Sequence, residues 1–225
     1  DVGSVTLLPD SEAVTRELDR KTGRSARVAV ITLTDEAKTE ARKRFSTPLL
    51  FSVHEAKGLE YEHVVLWGLV SSAEKEFRLI AEGLAPQDLE GDLEYRRGRD
   101  KEDKSGEVYK FYVNALYVAI TRTRANLYVV EPRVRQPILE LLLPEAAKES
   151  IEIKGEESSL EEWQKEARRL ELQGKDEQAA RIRQQLLKTE PVPWEVLDDG
   201  KFAALLPSAL DTRRIDRKAQ RAVFE

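Results

Sequence analysis

The stretch PLLFSVHEAKGLEYEHVVLWGL, Pro48–Leu69, decides how the rest of the chain reads. Leu49, Leu50, Phe51 and Val53 make a short apolar run behind Pro48, the mark of a buried strand. His63–Leu69 is a second such run, rich in Val and Leu. Between them lies HEAKGLEYE, which crowds a His, a Lys, acids and a Gly together. Two flanking buried strands predict a polar turn held at one edge of a sheet, where open α/β sheets place ligand sites.

Upstream, Val5–Leu8 predicts a short strand. Ser11–Lys21 predicts a helix, with Val14 and Leu18 at i, i+4 spacing and Gly23 as its stop. RVAVITL, Arg27–Leu33, is a β-branched run and a buried strand. Asp35 is the expected cap of the next helix, EAKTEARKRF, which must end before Pro48. The order β-α-β-α-β-turn-β predicts an α/β fold with an at least partly parallel sheet.

Downstream, Ser71–Gly83 holds room for a short helix. PQDLEGDLEYRRGRDKEDKSG, Pro86–Gly106, is polar, charged and Gly-interrupted, and predicts a mobile surface insertion whose arginines Arg96, Arg97 and Arg99 belong to a solvated loop. In YKFYVNALYVAITRTR, Tyr109–Arg124, residues Phe111, Ala115, Val118 and Ala119 recur at helical spacing, with Tyr61 and Tyr117 expected in the core. The helix delivers Arg122 and Arg124 just before the strand ANLYVVEP. Either the pair addresses an anion, or it only complements the helix C-terminus.

From Gln136 the character changes. Ile138–Leu143 reads as a short helix closed by Pro144, and Ile151–Gly155 as an extended piece. Ser158 or Ser159 caps the helix that runs to Gly174, and Lys175–Lys188 is its partner, so the pair predicts an αα-hairpin. Trp163, Ala167, Leu170, Gly174, Ala179 and Pro191 match one tetratricopeptide-like unit, a spacing that any helical hairpin also favours. A basic cluster, Arg213, Arg214, Arg217, Lys218 and Arg221, closes the chain. These shifts predict two regions, 1–135 and 136–225.

The chain has 225 residues, a net charge of −5, 40% hydrophobic and 35% charged residues, and neither Cys nor Met. That composition suits one or two packed domains. It excludes disulfides and thiolate metal sites, and with two His a histidine metal cluster is not expected either. No segment has the apolar length of a membrane span, and a cytoplasmic location is the default expectation. The acidic balance argues against a wholly electrostatic nucleic-acid binder, while leaving room for a local basic groove.

SVHEAKGLEY, Ser52–Tyr61, resembles the fifth motif of UvrD/Rep-type superfamily I DNA helicases, roughly T-x-H-x-x-K-G-L-E-F/Y. ALYVAITRTRANLYVV, Ala115–Val130, resembles their sixth, roughly L-x-Y-V-A-x-T-R-A/T, and both lead into strands as in that family. The resemblance covers Val2–Pro132 and implies the second RecA-like motor domain: a three-layer fold with a mostly parallel sheet, followed here by the helical region. It implies roles residue by residue. Arg122 resembles the arginine that reaches the γ-phosphate across the domain cleft. Glu60 resembles the glutamate at the nucleotide sugar, and Ser52 and His54 the DNA-facing pair. Lys57 and Gly58 shape the turn, Gly58 on the nucleotide-binding side and Lys57 among the DNA-binding residues, where it contacts phosphate or else pairs with Glu55 or Glu60. The acidic pair that often precedes the sixth motif is absent, with Tyr112 and Val113 in its place.

The chain contains no G-x-x-x-x-G-K-S/T phosphate loop and no correctly placed Asp-Glu pair for Mg²⁺. The resemblance therefore implies that ATP and Mg²⁺ are bound mainly by an N-terminal motor domain of the same protein, preceding Asp1, and that single-stranded DNA is the polymer partner. The alternative expectation is a helicase-like scaffold whose helical tail binds a protein partner.

Overall fold

The computed structural model describes residues 3–82, 84, 87, 105–143, 147–148, 151, 157–188, 199–210, 216 and 219. Contacts divide the chain into two compact units, 1–188 and 189–225. The helical hairpin thus lies in the same unit as the sheet. The basic cluster and nearly all of the Pro86–Gly106 insertion fall outside the described residues, as do Pro144 and the extended piece beyond Ile151.

The first unit opens with strand β1 (Val5–Pro9) and helix α1 (Glu12–Thr22), capped by Ser11, whose side chain accepts from Val14 N–H. Strand β2 (Val28–Thr32) and helix α2 (Asp35–Ala41) follow. The cap of α2 is Thr34 rather than Asp35, because the Thr34 hydroxyl accepts from Ala37 N–H while Asp35 already lies in the first turn. The quoted stretch then forms β3 (Leu50–Ser52), a single helical turn α3 (Val53–Ala56) and β4 (Tyr61–Trp67). After a 3₁₀ turn at Ser71–Ala73 come α4 (Glu74–Ala81), α5 (Ser105–Ile120) and β5 (Thr123–Glu131). Helix α6 (Pro137–Leu142), the two-residue strand β6 (Ala147–Lys148) and the hairpin helices α7 (Leu160–Leu172) and α8 (Asp176–Ile182) complete it. A π-helical turn, Arg183–Leu187, continues α8. Among the described residues of the second unit lies helix α9 (Asp199–Leu210).

The sheet is parallel throughout, in the order β3-β2-β4-β5-β1-β6. This corrects the reading of HEAKGLEYE as a turn at one sheet edge. Parallel strands cannot be joined by a hairpin turn; the link must return across the sheet. Residues 53–60 therefore leave the carboxyl end of β3, make one turn of helix and re-enter at the amino end of β4, with β2 seated between the two strands.

Side chains alternate between two cores. Ala29, Ile31, Val64, Leu66, Leu127 and Val129 face one side, where α3–α8 pack. Val28, Val30, Val65, Tyr128 and Val130 face the other, against Leu18 of α1 and Ala41 and Phe45 around α2. Both faces are covered, which is why these strands read as continuous apolar runs rather than alternating ones. The result is a three-layer α/β fold of RecA-like type.

The hairpin belongs to this architecture. Trp163, Ala167, Leu170, Ala179 and Ile182 sit in the same core as β2 and β4, so the spacing that matches a tetratricopeptide unit serves packing against the sheet. Gln178 Nε2 donates to Leu50 O at 3.2 Å, and Arg42 Nη2 donates to the same oxygen at 3.3 Å. Helix α8 thereby helps satisfy the open side of edge strand β3, where an unpaired backbone would otherwise invite another strand. Burial brings the Arg42 pKa down to about 10, with Arg181 nearby acting in the same direction.

Candidate functional site

The segment from Ser52 to Tyr61 carries candidate residues toward both ends of the strands, some beyond the carboxyl ends and some at the amino ends. At the carboxyl ends of β2 and β3, His54 and Lys57 are exposed, and among the described residues Lys57 has no ion-pair partner. Glu55 does not take it, because its carboxylate is bound to Lys38 Nζ at 2.8 Å and to Ser52 N–H at 2.9 Å. Lys57 and His54 line a cleft of about 330 Å³ with Leu33, Val53 and, from α5, Phe111, Asn114 and Val118. Ser52 lies beneath this surface, 2% exposed, whereas its neighbours His54 and Lys57 reach solvent.

Helix α5 turns differently from its expected face. Ala115, Leu116 and Ala119 are buried, but Phe111 is 59% and Tyr117 66% exposed. The expectation that Phe111 and Tyr117 face the core is thus corrected. The sheet-facing stripe of α5 is built from small residues and Leu116, and the aromatic Tyr112 beside Phe111 packs inward against Phe77, ring centroids 5.6 Å apart. Tyr61 is buried as expected.

The second group lies at the amino ends of β4 and β5. Gly58 has φ +85°, a left-handed conformation that suits glycine, and nothing lies within 4 Å of where a Cβ would point, so the backbone alone asks for it. The chain then passes through buried Leu59 and exposed Glu60 into β4. Arg122 follows directly after α5, which ends at Ile120. Its carbonyl accepts from Tyr61 N–H at 2.9 Å, which lays Arg122 beside Glu60 across the two strand ends. The guanidinium is half-buried and held at three of its donors: Nε on Val118 O at 3.0 Å, Nη1 on Leu59 O at 3.1 Å and Nη2 on Thr121 Oγ1 at 3.0 Å. A guanidinium has five N–H donors, so two remain for a ligand. Arg124 lies inside β5 and is exposed.

A family model described as UvrD-like helicase C-terminal domain matches residues 13–132, a little over half the chain. The chain belongs to that family. No solved structure matches it. In this UvrD-like domain the matched region ends where β5 ends, so the hairpin lies outside the family match although it shares the core.

Some groups around the site gave no signal in the sequence. Lys38 of α2 bonds Glu55 of α3 at 2.8 Å and Glu177 of α8 at 2.9 Å. Burial lowers the Lys38 pKa, but the two carboxylates outweigh it and the net shift is upward. Glu166 accepts from the Tyr61 hydroxyl at 2.8 Å and from Arg169 Nη2 at 2.7 Å. Burial, and then the Glu166 charge, push the Tyr61 hydroxyl well above its usual value, so it stays a proton donor. Glu131, fully buried at the end of β5, accepts from Val70 N–H at 2.7 Å and Ser71 N–H at 3.0 Å, and burial raises its pKa despite these bonds. Apart from Glu166–Arg169, one turn apart on α7, these pairs join residues at least 17 positions apart in the chain. Among the described residues no helix is long and apolar enough to cross a membrane.

Proposed function

We propose that this UvrD-like domain is the second motor half of an ATP-dependent DNA helicase or translocase, and that Arg122 is its arginine finger. The observation that carries the reading is the seating of Arg122: three internal hydrogen bonds fix the guanidinium, and two donors remain. A planar, permanently charged fork held in this way suits the charge that develops on a transferring phosphoryl group. Glu60, exposed at the neighbouring strand end, is positioned to accept from ribose hydroxyls, with Gly58 setting the path of the chain to it. His54, Lys57 and the cleft they share with α5 form part of a single-stranded DNA track, with Ser52 supporting the segment from below. His54 and Lys57 donate to backbone phosphates, and an exposed aromatic such as Phe111 offers a stacking surface for a base.

ATP and Mg²⁺ fit as ligands shared with another domain. The residues here supply an arginine and a sugar contact, while the cradle for the β-phosphate and metal comes from a phosphate loop that this sequence lacks. When the two domains close on ATP, Arg122 meets the γ-phosphate and the segment 53–60 transmits the movement to the DNA cleft. Translocation from 3′ to 5′ is the direction the family resemblance implies. In the intact protein, Arg122→Ala is expected to lower ATP turnover by about a thousandfold or more, while the loss of its three internal hydrogen bonds lowers the melting temperature only modestly and leaves the protein folded at the assay temperature. DNA-stimulated ATPase assays check this, and wild-type turnover in that variant would refute the assignment.

A further inference from the structure

The helical hairpin does more than cover an edge strand, because one of its helices is bonded to the backbone that carries Glu60 and that pairs with Arg122. Glu166 and Arg169 lie one turn apart on α7, outside the family match. The Arg169 guanidinium lies 4.9 Å from the centre of the Tyr61 ring. Its Nη1 donates to Glu60 O at 3.3 Å and its Nη2 to Glu166 Oε1 at 2.7 Å. The same Glu166 oxygen accepts from the Tyr61 hydroxyl at 2.8 Å. On the other side, Tyr61 N–H donates to Arg122 O at 2.9 Å, and Arg122 Nη1 donates to Leu59 O at 3.1 Å. The three-residue backbone Leu59–Tyr61 is therefore gripped from two directions, by α7 and by Arg122.

We propose that Glu166 and Arg169 are positioning residues, which hold Leu59–Tyr61 so that Glu60 and Arg122 stay in register at the nucleotide edge. This rests on the roles proposed above for Glu60 and Arg122. The arrangement is what such a role requires. A carboxylate as buried as Glu166 stays stable only with its bonds made, and a buried ionic cluster adds little net stability over an apolar one. What it adds is geometry: the two bonds and the stacked guanidinium allow one placement of the Tyr61 ring and the Glu60 carbonyl. Tyr61 remains protonated, so its hydroxyl holds Glu166 throughout the physiological range. Arg169 keeps part of its side chain in solvent, so replacing it does not open a core cavity.

The test uses Arg169→Ala and Arg169→Lys. Lysine can still pair with Glu166, but it loses the planar contact with Tyr61. In the 225-residue chain, hydrogen exchange at the Tyr61 amide is expected to rise about tenfold in Arg169→Ala, with partial recovery in Arg169→Lys, while the Val30 amide on Leu49 O stays unchanged. In the intact protein, kcat/KM for ATP is expected to fall about tenfold in Arg169→Ala while affinity for single-stranded DNA stays the same, because the His54–Lys57 cleft lies toward the carboxyl ends of β2 and β3, away from the amino ends that Arg169 holds. Unchanged Tyr61 exchange overturns the proposal. So does unchanged ATP turnover in Arg169→Ala alongside an inactive Arg122→Ala. Equal loss of ATP and DNA parameters together with a lowered melting point assigns the pair a purely structural role, and overturns it as well. Wild-type turnover in Arg122→Ala instead sinks the functional reading on which the proposal rests, and is recognisable because the exchange change at Tyr61 would persist.

Discussion

Lys38 shows how a single side chain ties the site segment to the layers around it. It is an ordinary helix position in the sequence, yet its ammonium bridges Glu55 in the motif turn and Glu177 in the hairpin. Lys38→Met is expected to cost about 2 kcal/mol at neutral pH, less than a fully buried pair, because Glu177 is 44% exposed. The pH window follows from the two shifts. The Glu177 pKa is lowered: burial opposes this, but Lys38 and its other cationic neighbours prevail, so its share of stability is present above the ordinary 4.5 and is lost as pH falls through the depressed value. The Lys38 pKa is raised, so its share is present below the ordinary 10.5 and is lost as pH rises through the elevated value. Urea denaturation at several pH values checks this. The difference between wild type and Lys38→Met should be constant between roughly pH 5 and 10, and should shrink below and above. A difference that grows toward acid would contradict it.

At the scale of elements, α7 and α8 decide what the hairpin is. An autonomous helical module would bury Trp163 between its own helices. Here Trp163, 2% exposed, joins a core that also contains Ile31, Leu66 and Phe51. Trp163→Ala is expected to destabilise the unit by about 3–5 kcal/mol, through lost burial and the cavity left behind. Urea unfolding followed by circular dichroism should show one transition shifted to lower midpoint with the slope retained. A biphasic curve, with the helices melting ahead of the sheet, would mean that the hairpin is a separable appendage.

For the whole molecule, the split of candidate residues between the two ends of the strands sets what it can do. Arg122 and Glu60 lie at the amino ends of β5 and β4, while His54, in α3, and Lys57, directly after it, lie beyond the carboxyl end of β3, with Gly58 and Leu59 between Lys57 and Glu60. On the function proposed above, that layout would couple a nucleotide to a DNA-facing cleft, and the sequence contains no phosphate loop. The 225-residue chain by itself is therefore expected to show no ATP hydrolysis above background in a phosphate-release assay, with or without single-stranded DNA. Robust turnover would mean that the chain holds a complete active site.

The sequence by itself determined most of the strand and helix order, the buried character of the strands and the two motifs, because periodicity, capping and motif spacing act over a few residues, but not the helical turn Val53–Ala56 or the short strand Ala147–Lys148. The helix start at Ser11 and a cap at Ser158 or Ser159 could be read there, since a helix start is a local event; the structure makes Ser11 and Ser159 the capping residues. Strand neighbourhood was not legible there. Only the tertiary structure seats β2 between β3 and β4, and so turns HEAKGLEYE from an edge loop into a crossover with a different residue at each end. It also decides that Phe111 and Tyr117 face solvent, that Lys38 bridges two elements, and that Arg169 reaches Glu60 and Tyr61 from more than a hundred residues away. Such outcomes depend on which surfaces meet after collapse, a long-range matter of packing that the local pattern around any one of these residues does not encode.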